Sequence, residues 1–125
     1  MKHSEGFLKL VNDAKSRIKE KSVSETIDRL KENTEARLID VREDNEWDHA
    51  HAKGAIHLGK GIIERDIEAT LPNKDAELIL YCGGGYRSAL AADVLQIMGY
   101  TNVFSMAGGW KAWKESGAAI ESGKE

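Results

Sequence analysis

Residues 78–88 read Leu-Ile-Leu-Tyr-Cys-Gly-Gly-Gly-Tyr-Arg-Ser, and their pattern predicts the class of fold. Its first four residues are continuously apolar and lie between turn-forming segments, which is typical of a strand inside a parallel sheet. Three glycines follow, and a helix is predicted from about Arg87 to Met98. A buried strand, a glycine loop and a helix in this order predict an α/β protein, whose small parallel sheet carries helices on both faces.

The rest of the chain also alternates between strands and helices. Strands are predicted at 38–41 and 55–58 and from Val103, and helices at 61–71 and after Gly108. Near the N-terminus, apolar residues spaced four, three and four apart predict an extra helix with one buried face, formed by Phe7, Val11, Ala14 and Ile18. We therefore divide the chain into an N-terminal helical extension (1–21), a main domain (22–118) and a polar tail (119–125).

Composition argues against several classes of partner. The chain has 125 residues, with 18 basic and 21 acidic side chains and a net charge of -3, so no basic excess indicates nucleic-acid binding. No apolar run approaches the roughly 20 residues that cross a bilayer. The first residues lack the basic-then-apolar order of a signal peptide. We expect a cytoplasmic protein without a membrane or nucleic-acid partner.

Cys82, the single cysteine, lies where the most apolar strand ends. In open α/β sheets, sites form beyond the carboxyl ends of the strands. The loop Gly83, Gly84 and Gly85 can turn its N–H groups inward, and the following helix start and Arg87 add positive charge. These groups favour a thiolate and would stabilise a persulfide anion. The alternative is a buried structural cysteine, but the coincidence of these features favours a nucleophile.

The spacing from cysteine to arginine separates two chemistries that use such loops. Phosphatase and arsenate-reductase loops place five residues between the two side chains, which makes room for a tetrahedral oxyanion. Here four residues lie between Cys82 and Arg87. The smaller loop predicts a cup for one terminal sulfur atom rather than for a phosphoryl group.

These motifs form part of a longer series that is similar to the rhodanese family of sulfurtransferases. The loop at 82–88 resembles the family's six-residue active-site loop, and residues 38–43 resemble its first strand signature. The further matches are Glu46-Trp47, His51 with Gly54-Ala55-Ile56, Gly99-Tyr100, Val103, and Ala107-Gly108-Gly109-Trp110-Lys111-Ala112-Trp113. The resemblance covers roughly residues 22–116. The chain departs from the family pattern at Ala50, Ala52, Lys53, His57 and Gly59.

The resemblance implies a thiosulfate sulfurtransferase. Sulfane sulfur would pass from a small anionic donor such as thiosulfate to a thiol or cyanide acceptor, through a persulfide on Cys82, without a metal or an organic cofactor. A sulfur-relay protein and a regulatory rhodanese-like binding module remain alternatives from the same family. A phosphatase or arsenate reductase is disfavoured by the loop spacing.

Roles are also predicted for the polar residues around the cysteine. The loop residues Gly83, Gly84, Gly85, Tyr86, Arg87 and Ser88 are expected to bind the substrate and the persulfide, with Tyr86 facing the incoming molecule. Four supporting residues are predicted, namely Asp40, Arg42, Glu46 and His57. Among them, an ion pair between Arg42 and Glu46 is expected, and Asp40 is expected to orient either Arg42 or the loop. His57 is interpreted as a hydrogen-bonded structural residue.

Overall fold

The structure, a computed structural model, describes residues 3–122. Its helices are α1 (Glu5–Lys15), α2 (Val23–Glu32), α3 (Asp44–His49), α4 (Ile63–Thr70), α5 (Tyr86–Ile97) and α6 (Gly109–Glu115). Its strands are β1 (Lys19–Lys21), β2 (Arg37–Asp40), β3 (His51–Ala52), β4 (Ile56–His57), β5 (Leu78–Tyr81), β6 (Val103–Met106) and β7 (Ile120–Glu121). None of these helices is long and apolar enough to cross a bilayer.

The main sheet is parallel throughout the described part of the chain. Its five strands lie in the order β1-β6-β5-β2-β4, with β5 in the centre. The carboxyl ends of β2, β5 and β6 therefore share one edge, and the loops that follow these strands meet there. The predicted α/β class, with a small parallel sheet between helices, is confirmed.

Strand β5 shows why both faces of the sheet are covered. Successive side chains on a strand point to opposite faces. Leu78 and Leu80 pack in one core with residues of α4 and α5, whereas Ile79 and Tyr81 pack in the other with residues of α2 and α6. All four side chains are fully buried, which explains why the segment is apolar without alternation.

The N-terminal extension contributes more than the predicted helix. Residues 19–21 form β1, which pairs in parallel with β6 at the edge of the main sheet. The sequence of β1 is Lys-Glu-Lys, and such a charged segment carries no apolar pattern by which a strand is recognised. Charged edge strands are common because they discourage pairing with other chains. Residues 1–2 of the predicted extension lie outside the described residues.

The C-terminal segment is more ordered than the predicted polar tail. Residues 120–121 form β7, which pairs antiparallel with β3. Lys53 N–H and the Trp113 indole N–H both donate to the carbonyl of Ala119, at 3.0 Å each. Backbone pairing needs no apolar side chains, so no hydrophobic pattern marks this strand in the sequence. Residues 123–125 of the predicted tail lie outside the described residues.

Candidate active site

Cys82 lies directly after β5, and its thiol sulfur is held by the glycine loop. The backbone N–H of Gly85 donates to Sγ at 3.1 Å, and the Ser88 hydroxyl lies 3.5 Å from Sγ. Gly85 has φ of +100° and forms the N-cap of α5. This left-handed conformation suits glycine, and it turns the chain so that the N–H of Gly85 faces back to the cysteine.

The Ser88 hydroxyl contacts a second buried hydroxyl, that of Ser105. Ser88 and Ser105 are fully buried, and their Oγ atoms are 2.8 Å apart. Because a buried hydroxyl needs a hydrogen-bond partner, this contact limits the directions in which the Ser88 hydroxyl can point. Sequence reasoning missed Ser105, because a single serine in a strand carries no signal of a contact with a helix from elsewhere in the chain.

The start of α6 holds the backbone of the cysteine loop. Trp110 N–H donates to the Cys82 carbonyl at 2.7 Å, and Lys111 N–H donates to the Gly83 carbonyl at 3.2 Å. Gly109 has φ of +53°, and a methyl group there would overlap the carbonyl oxygen of Cys82. Only glycine allows this close approach. The sequence predicts a helix start at the diglycine 108–109 but gives no sign of its contact with the loop.

The Arg87 guanidinium lies beside the loop and pairs with Glu46. Its two terminal nitrogens donate to the two carboxylate oxygens at 2.8 and 3.3 Å. The hydrogen bond to Arg87 lowers the pKa of Glu46, and the same contact raises the pKa of Arg87. Both side chains are 32% exposed, so the pair stands at the mouth of the site with a charge that is balanced locally.

The ion pair predicted between Arg42 and Glu46 does not form. Arg42 pairs with Asp40 instead, at 2.8 Å, and also donates to the carbonyl of Ala50 at 2.7 Å. Asp40 is two residues away on the same strand end and is fully buried, so it is the nearer carboxylate and the one that most needs a cation. Asp40 was predicted to orient either Arg42 or the loop, and in the structure its carboxylate contacts Arg42.

His57 lies next to the Arg42–Asp40 pair and does not line the cavity that contains Cys82. Its Nε2 atom is 2.8 Å from the carbonyl oxygen of Arg42, and its ring stacks on Trp47 with centroids 4.9 Å apart. This placement matches the prediction that His57 is a hydrogen-bonded structural residue. Within residues 3–122, no group of three or more His, Cys, Asp or Glu side chains is arranged to hold a metal ion.

A cavity of about 510 Å³ opens above the cysteine. Its lining combines the loop, the Arg87–Glu46 pair and the beginning of the N-terminal extension, and consists of His3, Phe7, Glu46, Cys82, Gly83, Gly84, Tyr86 and Arg87. The loop residues predicted to bind substrate thus share one cavity, except Gly85 and Ser88, which contact Sγ of Cys82 but do not line the cavity. Phe7 and His3 were not predicted, because the motifs that guided the site prediction begin after residue 21.

A parallel α/β sheet with a cysteine loop at its carboxyl edge is the architecture of a rhodanese-like domain. The rhodanese-like domain family matches residues 22–116, and the chain is a member of that family. The resemblance read from the sequence is thereby confirmed.

Two relatives show the range of names in the family. The thiosulfate sulfurtransferase GlpE of Vibrio cholerae is 31% identical over 93 residues, which cover 74% of this chain and 86% of the relative. The protein YrkF of Bacillus subtilis, described as a possible sulfur carrier, is 32% identical over 76 residues. That match covers 61% of this chain but 40% of YrkF. At family level, these names support sulfur transfer or sulfur carriage.

One solved structure resembles nearly the whole chain. It is a Rhodopseudomonas palustris protein of unknown function, described as a possible tyrosine phosphatase, with a TM-score of 0.83 and 28% identity. The match covers 97% of this chain and 98% of that chain, so the shared architecture extends beyond the 22–116 family match into the N-terminal residues.

Proposed function

We propose that this protein is a sulfurtransferase that carries sulfane sulfur as a persulfide on Cys82. The observation that carries the proposal is the position of Cys82, which is buried at the base of the glycine loop, belongs to the cavity lining and accepts the Gly85 N–H on Sγ at 3.1 Å. The Ser88 hydroxyl lies on the same sulfur at 3.5 Å, so two hydrogen-bond donors are available to a thiolate. A small anion such as thiosulfate is the proposed donor.

The first half-reaction loads the cysteine. The Cys82 thiolate attacks the outer sulfur of thiosulfate, a new S–S bond forms, and the S–S bond of thiosulfate breaks. Sulfite leaves with the electron pair. The negative charge then rests on the outer sulfur of the persulfide, close to the start of α5, where the first N–H groups of the helix have no intrahelical acceptor.

The second half-reaction empties the site. A thiolate or cyanide attacks the outer sulfur, and the bond between that sulfur and Sγ breaks with its electron pair remaining on Cys82. The products are an acceptor persulfide or thiocyanate and the original thiolate. Because donor and acceptor use one site in turn, we expect ping-pong kinetics.

The spacing between Cys82 and Arg87 favours this chemistry over phosphate-ester hydrolysis. Four residues separate the two side chains, against the five expected of phosphatase and arsenate-reductase loops. A sulfur carrier that receives its sulfur from another protein would use the same persulfide, and the relationship to YrkF favours this as the second candidate.

The test is the intact mass of the protein after incubation with thiosulfate under conditions that preserve persulfides. We expect a gain of one sulfur atom, located on Cys82, and its loss upon addition of cyanide. The Cys82→Ser variant is the control, and an aryl phosphate ester is assayed in parallel. An unchanged mass with thiosulfate, or turnover of the phosphate ester that requires Cys82, would overturn the proposal.

A further inference from the structure

The segment outside the family match forms one wall of the cavity above Cys82. His3 precedes the N-cap of α1, and Phe7 lies in its first turn. The ring of Tyr86 lies 4.5 Å from that of His3 and 6.2 Å from that of Phe7, measured between centroids. The three rings make an aromatic wall, defined here as His3, Phe7 and Tyr86, that lines the same cavity as the cysteine.

This wall is held in a fixed position relative to the loop. Arg17, just after α1, donates to both carboxylate oxygens of Asp93 on α5, at 3.0 and 2.7 Å. Gln96 on α5 donates to the Arg17 carbonyl at 3.0 Å. Val11 and Ala14 of α1 are also fully buried. Since α5 begins at the cysteine loop, α1 and the loop are attached to the same helix.

Charge alone does not select an acceptor in this cavity. The guanidinium of Arg87 is already matched by the carboxylate of Glu46, at 2.8 Å. The cavity volume, about 510 Å³, also exceeds what thiosulfate or cyanide fills. An aromatic surface of this kind binds planar or apolar groups through ring contacts and loss of water.

We propose that the aromatic wall recognises the organic part of the sulfur acceptor, which is a small thiol carrying an aromatic or other apolar group. The group lies against Phe7 and Tyr86 while its sulfur faces Cys82. Its thiolate attacks the outer sulfur of the persulfide, an acceptor S–S bond forms, and Cys82 leaves as the thiolate. The acceptor assignment rests on the proposed function, but the binding preference of the wall does not.

The first experiment measures how fast persulfide-loaded protein loses its outer sulfur, by intact mass, with three acceptors. Phenylmethanethiol carries a ring, 2-mercaptoethanol does not, and cyanide is too small to reach the wall. In Phe7→Ala we expect the rate with phenylmethanethiol to fall about fivefold to tenfold, as loss of one ring contact implies. The other two rates should stay within about twofold. Leu10→Ala is the control, because Leu10 lies on α1 but is 58% exposed and does not line the cavity.

The second experiment needs no sulfur transfer. Benzyl bromide and 2-bromoacetamide alkylate the Cys82 thiolate with loss of bromide, and only the first carries a ring. The ratio of their rates should be higher in the wild type than in Phe7→Ala, and Phe7→Leu should restore part of it. The wall does not recognise an organic group if Phe7→Ala leaves two ratios unchanged. These are the ratio of the two alkylation rates and the ratio of the sulfur-loss rate with phenylmethanethiol to that with 2-mercaptoethanol. If thiosulfate fails to load the cysteine while the alkylation ratio behaves as expected, the proposed function is wrong and the wall assignment stands.

Discussion

Replacing Gly109 with alanine tests whether the start of α6 positions the cysteine loop. The new methyl group would overlap the Cys82 carbonyl oxygen and lie 2.9 Å from the Gly83 carbonyl carbon, so the loop must move away. That movement weakens the hydrogen bonds from Trp110 and Lys111 to the loop, which measure 2.7 and 3.2 Å. Gly117→Ala is a matched control, because Gly117 follows the other end of α6, has φ of +78° and has open space around it.

The two variants share one destabilising effect and differ in the other. A side chain in the left-handed region costs about 1–2 kcal/mol, and both variants should lose that much. Only Gly109→Ala should also lose up to two hydrogen bonds, at about 0.5–1.5 kcal/mol each. We therefore expect its free energy of unfolding to be about 1–3 kcal/mol below that of Gly117→Ala. A displaced nucleophile should slow persulfide formation about a hundredfold.

Urea unfolding followed by tryptophan fluorescence gives the free energies, and the rate of mass gain with thiosulfate gives the chemistry. Gly117→Ala should load at close to the wild-type rate. Equal destabilisation of the two variants would mean that the close approach of Gly109 to the loop is unimportant. A normal loading rate in Gly109→Ala would mean that α6 does not position Cys82.

Three further variants test individual contacts. Cys82→Ser should abolish sulfur uptake, measured by intact mass, without changing Tm by more than a few degrees, and residual uptake would place the nucleophile elsewhere. Glu46→Gln should lower the KM for thiosulfate about threefold at low salt, because Arg87 loses its counter-charge. The pKa of Glu46 is lowered in the folded protein, mainly by its hydrogen bond to Arg87. The pairing therefore stabilises the fold fully at pH values above the unfolded pKa of about 4.3. This stabilisation is lost as the pH falls through the lower pKa that Glu46 has in the folded protein. Urea unfolding should therefore separate wild type from Glu46→Gln by about 0.5–1 kcal/mol at neutral pH and less in acid, and a constant difference would contradict the assignment. Ser105→Ala should cost about 1 kcal/mol and slow loading severalfold, because the Ser88 hydroxyl loses its partner; an unchanged loading rate would limit Ser105 to packing.

The sequence alone determined the strand, loop and helix that carry the cysteine. The apolar run at 78–81 needs burial on both faces, and the glycines that follow permit a turn that most other residues resist. These are local effects, since each depends on neighbours in the chain. The Ser22–Glu25 capping box at the start of α2 is another local feature, since it joins residues three positions apart.

Which distant groups meet at this loop depends on how the helices and strands pack together. Glu46 pairs with Arg87 and not with Arg42, because α3 faces the loop after β5 while Arg42 folds back onto Asp40. Phe7 reaches the cavity only because α1 packs on α5, a contact between segments about 80 residues apart. Helix spacing predicts which residues share a face but not which partner covers it. For that reason Cys82 and its loop could be located from the sequence, whereas the walls of the cavity and the ion pair at its mouth could not.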